Sequence, residues 1–143
     1  MDRFEFAILG AGAMGSILAA HLARAGHSVA LLARGHRAAQ VRGDGLRITG
    51  LTRLTVPVHV IEHPAELRDA DVLIVATKAT GTAESLQPLA HARIGCAFSV
   101  QNGVLKNDLL QAAFGHEHVL GALANLSGEL QPSGEVLFTR NVS

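Results

Sequence analysis

Phe4-Glu5-Phe6-Ala7-Ile8-Leu9 runs directly into Gly10-Ala11-Gly12-Ala13-Met14-Gly15, and Ser16-Ile17-Leu18-Ala19-Ala20-His21-Leu22-Ala23-Arg24-Ala25 follows without a break. The first six residues have the length and apolar content of a buried strand, and the last ten are helix formers free of proline and glycine. Between them stands the pattern G-x-G-x-x-G. Alone it is weak, because an ordinary glycine-rich turn binds nothing; with a strand before it and a helix after it, it reads as the first turn of a βαβ unit. Each glycine then has its own reason. Gly10 permits the tight turn, Gly12 lets a ligand approach the backbone with no side chain in the way, and Gly15 lets the helix lie close on the strand. Ala11, Ala13 and Met14 complete the segment. The expected ligand is the pyrophosphate of a dinucleotide, facing the free N–H groups at the helix N-terminus.

The bulk composition narrows the setting. A chain of 143 residues is long enough for one domain with its own core and short for two. Aromatics make up only 3%, so the apolar mass is Ala, Val, Leu and Ile, the mix of buried parallel strands and their covering helices. Twelve basic residues balance twelve acidic ones, which leaves no electrostatic footprint for nucleic acid or for an anionic membrane. The single cysteine, Cys96, has no intrachain partner for a disulfide and fits a reducing compartment. Phe4 to Leu9 is too short for a secretory leader, and no apolar run approaches the ~18 residues of a membrane span. A soluble, cytoplasmic protein is expected.

Strand and helix patterns alternate along the chain, which predicts an α/β fold: a doubly wound, Rossmann-type, mostly parallel sheet with helices on both faces. Gly26 supplies a C-cap for the first helix, and Ser28 to Ala33 reads as a second buried strand. Gly35 to Arg42 predicts a short helix closed by Gly43-Asp44-Gly45. Leu46 to Thr49 and Leu54 to Val60 read as two strands at the margin of the sheet, the second weakened by Pro57. Pro64 to Leu67 is a single helical turn, and Asp71 to Ala76 is a central strand ending at Thr77-Lys78. Helix is expected from Thr82 to Ala90, strand from Ala97 to Gln101, helix from Leu105 to Phe114, and the start of another strand at Val119 to Leu123. A turn at Pro132-Ser133-Gly134 precedes a last strand, Val136 to Thr139.

The residues at strand ends carry the chemistry. A site for NAD places Asp or Glu roughly 20 residues beyond the glycine turn to hold the ribose hydroxyls. Ser28 to Arg42 contains no acidic residue; Arg34 stands at the strand end, with His36 and Arg37 just after it. A guanidinium fork suits a 2′-phosphate, which favours NADP(H) over NAD(H); the competing reading makes Arg34 and Arg37 solvated charges at the start of a helix. Lys78 and Asn102 both lie just past predicted central strands, where ligands of open α/β sheets bind. Singly, each is a surface lysine or a turn asparagine; beside the glycine turn, they point toward cofactor and substrate. His116-Glu117-His118 lacks both helix-face spacing and a third ligand for a metal. No Ser/His/Asp set, carboxylate pair or CxxC is present, so hydrolytic and metal-dependent chemistry have no support.

With these residues in view, the chain resembles the N-terminal, NADP-binding domain of the ketopantoate reductase (2-dehydropantoate 2-reductase) family. The resemblance rests on Ile8 to Gly15, Leu32-Ala33-Arg34-Gly35, Gly45 to Ile48, Ala70 to Lys78, Gln101 to Val104 and Pro132 to Val136. It implies hydride transfer from NADPH to the keto group of 2-dehydropantoate, giving pantoate on the route to pantothenate and coenzyme A. It further implies that Gly10 to Gly15 hold the pyrophosphate and Arg34 the 2′-phosphate. Lys78 and Asn102 would contact cofactor and keto acid, while Asn125 to Ser127 would line the nicotinamide pocket. The family's general-acid lysine belongs to a helical C-terminal domain that residues 1–143 do not include, so no catalytic residue is expected in this chain and little turnover from it alone. The surface meant for that half predicts a homo-oligomer or a complementing C-terminal domain as partner. Two other readings remain open: an NADP-dependent dehydrogenase for another 2-oxo acid, opine or polyol phosphate, and a stand-alone NADP(H)-binding module without turnover.

Overall fold

The computed structural model describes residues 3–77, 86–100, 106–121 and 126–141. The opening stretch forms β1 (Arg3–Leu9) and, after the glycine turn, α1 (Ala13–Arg24). The helix ends as its sequence predicts: Gly26 adopts φ +98°, its N–H reaches the Ala23 carbonyl at 3.1 Å, and the His27 N–H reaches Leu22 at 3.2 Å. That pair of bonds satisfies two carbonyls the last turn would otherwise leave open, and the left-handed backbone it needs is tolerated at Gly26. The chain then returns through β2 (Val29–Leu32), all four residues buried, beside β1 and parallel to it.

Five strands make the main sheet. To β1 and β2 are added β5 (His59–Ile61), β6 (Asp69–Val75) and β7 (Arg93–Ser99), in the order β5-β2-β1-β6-β7, and every pairing is parallel. Alternate side chains enter two separate cores. Ile8, Leu31, Val60 and Ile74 pack on the α1 face with Val41 of α2 (Gly35–Asp44). Ala7, Leu9, Leu32, Leu73 and Val75 pack on the other face with Leu86, Leu89 and Leu110 of α3 (Lys106–Phe114). A strand buried on both faces has no polar side to display, which is why Ala7 to Leu9 and Leu73 to Val75 read as continuous apolar runs.

The expected margin of the sheet is instead a second sheet. β3 (Leu46–Gly50) and β4 (Leu54–Val56) form an antiparallel pair, and β8 (Leu126–Leu130) and β9 (Glu135–Asn141) form another; β3 joins β9 in parallel, giving the order β4-β3-β9-β8. The single strand expected over Leu54 to Val60 is therefore two, β4 in one sheet and β5 in the other, separated at Pro57-Val58. Proline has no N–H for a ladder, and the break it makes lets the chain change sheets. α1 lies between the layers, touching β1 and β2 on one side and β3, β4, β8 and β9 on the other. Its Ala19 and Ala20, both at 0% exposure, are small enough to allow sheets on both sides.

Two further elements differ from expectation, and two others fall partly outside the described residues. β7 begins at Arg93 rather than Ala97, because Gly95 lies flat against β6, with no room for a side chain beside the Asp71 carbonyl. β8 has no strand signal in Leu126-Ser127-Gly128-Glu129-Leu130 and exists because β9 pairs with it. Val119 makes a single bridge to Ala97, and Ala122 and Leu123 lie outside the described residues. Of the helix expected over Thr82 to Ala90, residues 82–85 lie outside them too, and Gln87–Leu89 is a short 3₁₀ turn.

Candidate functional site

The chain leaves β1 toward β2 on one side and later returns to place β6 on the other, so the carboxyl ends of β1 and β6 flank a topological switch point. In open α/β sheets this crevice is where ligands bind. The three glycines of the turn meet it differently. At Gly10 the backbone takes φ +111°, and an added Cβ would stand 2.9 Å from the Thr77 nitrogen at the end of β6. At Gly15 a Cβ would overlap the Gly10 carbonyl oxygen. At Gly12 a Cβ would meet nothing within 4 Å among the described residues. Two glycines are thus required by the protein's own packing, and the third holds open a space that no described residue fills.

Gly12 is also the N-cap of α1, with extended backbone, no capping side chain, and no acidic residue in the first turn that follows. The positive end of the helix dipole and its first N–H groups face the open side. The neighbouring peptide is held firmly. The Ala11 carbonyl accepts from the Ser16 hydroxyl at 3.1 Å and from Arg37 Nε at 2.8 Å. Such a turn fits a phosphate or pyrophosphate group: a cradle without a Cβ and, among the described residues, donors without an acceptor and no carboxylate inside it.

Arg34 and Arg37 part company in the folded chain. Arg34 is the N-cap of α2, exposed at the end of β2; its carbonyl accepts from the Ala38 N–H at 3.4 Å, and its side chain has no hydrogen bond or ion pair to any described residue. Arg37, one turn on, is half-buried, and all three nitrogens of its guanidinium donate hydrogen bonds. Besides Ala11 it donates to Ser16 Oγ at 2.8 Å, to the Gly134 carbonyl at 3.1 Å and to Gln40 Oε1 at 3.4 Å. Burial, and secondarily the charge of Arg47, hold it below the ordinary guanidinium value. Arg37 is therefore not a solvated charge, and its position shared with Ala38 and Val41 on the buried side of α2 was the available signal. Glu62, after β5, brings a carboxylate to the same region that sequence reasoning missed; Arg42 pairs with it at 3.0 Å.

These parts border one cavity of about 790 Å³, walled by Leu9 to Gly12, Leu32 to Gly35, Arg37, Glu62 to Pro64, Thr77, Pro88 and Leu130. Of the residues singled out from sequence, Gly10, Ala11, Gly12 and Arg34 line it directly. Ala13, Met14 and Gly15 belong to α1 behind the turn. Ser127 sits on β8 opposite Arg140, its carbonyl accepting from the Thr139 hydroxyl at 3.2 Å, and is not among the lining residues. Lys78 and Asn102 lie outside the described residues. His116–His118 is a 3₁₀ turn, and among the described residues no group of three His, Cys, Asp or Glu is placed to hold a metal. Among them, too, no helix is long and apolar enough to cross a membrane.

The sequence profile of the family described as Ketopantoate reductase PanE/ApbA matches residues 6–143. The chain belongs to that family. It is 34% identical over 131 residues to the 2-dehydropantoate 2-reductase of Archaeoglobus fulgidus, a match covering 92% of this chain and 42% of the relative. The crystal structure of 2-dehydropantoate 2-reductase from Geobacter metallireducens GS-15 superposes with a TM-score of 0.86 at 28% identity, over 97% of this chain and 46% of that one. A D-mandelate dehydrogenase solved with NADH and anilino(oxo)acetate shares the fold, with a TM-score of 0.84 at 22% identity over 95% of this chain and 46% of that one. The chain spans less than half the length of these proteins. In the ketopantoate reductases the matched part is the N-terminal, Rossmann-like domain.

Proposed function

We propose that this chain is the NADP(H)-binding domain of a 2-dehydropantoate 2-reductase. The observation that carries the reading is the pairing of an open Gly12 with an exposed Arg34, unpaired at its side chain among the described residues, on the wall of one cavity, at the end of a second strand that brings no carboxylate. The pyrophosphate would lie against the Gly12 turn and the α1 N-terminus, with the 2′-phosphate at Arg34. When bound, the nicotinamide supplies hydride to a keto carbon. What residues 1–143 contribute is binding and orientation: Lys78 and Asn102 follow β6 and β7 in sequence, at the carboxyl ends where the reactive end of a dinucleotide is directed. A general acid for the developing alkoxide is not assigned to any residue of this chain; we assign it to a helical C-terminal domain, as the family resemblance implies. The single cysteine fits work in the reducing cytoplasm.

The fold by itself does not choose the nucleotide, since a D-mandelate dehydrogenase holding NADH shares it. Arg34 makes the choice testable. Titration of reduced-cofactor fluorescence should give tighter binding of NADPH than of NADH. Arg34→Glu should lower NADPH affinity roughly 10- to 100-fold, the loss of one or two charge-assisted hydrogen bonds, while changing NADH affinity far less. Equal affinities in the parent chain would remove the reading of Arg34.

A further inference from the structure

We propose that Arg37 and Ser16 form a clamp that sets the orientation of the Ala11–Gly12 peptide, and that Arg37 is thereby a positioning residue for the pyrophosphate. This rests on the cofactor reading above and deepens it. In a trans peptide the carbonyl of one residue and the N–H of the next point in opposite directions from a rigid plane. The Ala11 carbonyl is drawn inward by two donors, Ser16 Oγ at 3.1 Å and Arg37 Nε at 2.8 Å. The Gly12 N–H must then point away from them. Among the described residues it has no acceptor.

The clamp is braced from both ends. Ser16 is fully buried on α1, and its hydroxyl accepts from Arg37 as it donates to Ala11, so the three groups close a ring of hydrogen bonds. On the far side Arg37 donates to the Gly134 carbonyl, in the turn between β8 and β9. A planar fork with fixed donor directions can satisfy four acceptors at once; an ammonium cannot. No carboxylate pairs with this half-buried cation among the described residues, and an anion at the turn would sit beside both its charge and the helix N-terminus. The turn between the second sheet's last strands thus becomes part of the machinery that holds the glycine loop in shape.

The test separates positioning from charge and from stability. NADPH and NADH are titrated into the chain and into Arg37→Lys, Arg37→Met and Ser16→Ala, with thermal unfolding of each and the ¹⁵N-resolved amide resonance of Gly12. Both nucleotides share the pyrophosphate, so both arginine variants should bind each at least about tenfold more weakly, with the NADPH-to-NADH ratio kept. The Gly12 amide should move downfield on saturation of the parent and much less in Arg37→Lys. Ser16→Ala, which leaves the guanidinium in place, should show the same pattern at about threefold, and carries the test if an arginine variant fails to fold. Full affinity in folded Arg37→Lys would overturn the clamp in favour of plain charge attraction. A loss confined to NADPH would overturn it by moving Arg37 to the 2′-phosphate. A lowered unfolding midpoint with unchanged affinities would reduce Arg37 to a structural role and overturn it too. If the parent bound neither nucleotide, the cofactor reading itself would fall and the clamp with it.

Discussion

Replacing each glycine of the turn by alanine should separate folding from binding, because the three positions fail for different reasons. Gly12→Ala adds a methyl into open space at an extended backbone of φ −73° and ψ −162°. The unfolded chain loses freedom, a gain of about 0.4–1 kcal/mol, while alanine is a poorer N-cap than glycine by roughly 0.5–1 kcal/mol, so the net change in stability should lie within about 0.5 kcal/mol. Gly15→Ala forces a methyl onto the Gly10 carbonyl, where the strand-to-helix connection cannot yield without separating α1 from the sheet. Overpacking of that kind costs about 3 kcal/mol, or roughly 10 °C in unfolding midpoint for a chain of this size. Gly10→Ala combines a φ of +111° with backbone contacts of 2.9 and 3.0 Å and should lose at least as much. Binding follows a different order. The Gly12 methyl occupies the approach to the turn and should weaken NADPH at least about tenfold in a fully folded protein. Chemical denaturation and cofactor titration on the same samples give both numbers. Undiminished affinity in Gly12→Ala would refute the role of the open turn, and a Gly15→Ala as stable as the parent would refute the packing geometry.

Other outcomes follow from the same structure. NADPH with 2-dehydropantoate should show negligible oxidation with residues 1–143 alone, measured at 340 nm against a full-length relative; steady turnover would place the proton donor inside this chain. Ile48→Ala, in the second sheet at 1% exposure, should cost about 2–5 kcal/mol by denaturation, since it joins the core beneath α1; a neutral effect would mean that the second sheet is only appended. Glu5 accepts from His27 at 2.6 Å and from the Ser28 N–H, and these bonds hold its carboxyl below the ordinary carboxylate value. A carboxyl depressed in the folded state adds stability above its unfolded pKa and loses it as pH falls through the folded one. Glu5→Gln should therefore flatten the acid limb of a stability-versus-pH curve and leave the alkaline limb unchanged. An acid limb of unaltered slope would count against the pair.

Much of the site was legible because it depends on short-range constraints. Gly10, Gly12 and Gly15 announce a tight turn through their spacing, and Arg34 announces its place through the apolar run that ends before it. The second sheet was not legible for the opposite reason. Leu46 and Ile48 alternate as any half-buried strand does, and nothing local says whether such a strand pairs with β5 or with β9, some ninety residues on. β8 is harder still, since a strand of Leu-Ser-Gly-Glu-Leu has almost no intrinsic preference and forms on the edge that β9 offers. Arg37 looked like the twin of Arg34 because both are arginines at the start of one helix.

From local chemistry alone come the βαβ start, the parallel core, the open glycine and the cation at the end of β2, since each needs only a residue's own conformational range and the period of its neighbours. The separation of Arg34 from Arg37 needed the folded chain. One turn of α2 places one guanidinium at the cavity's edge and swings the other under the glycine loop, where Ala11 and Ser16 of the first βα unit and Gly134 from near the end of the chain converge on it. Hydrogen-bond partners so far apart along the chain are brought together by packing, and packing is a property of the whole fold.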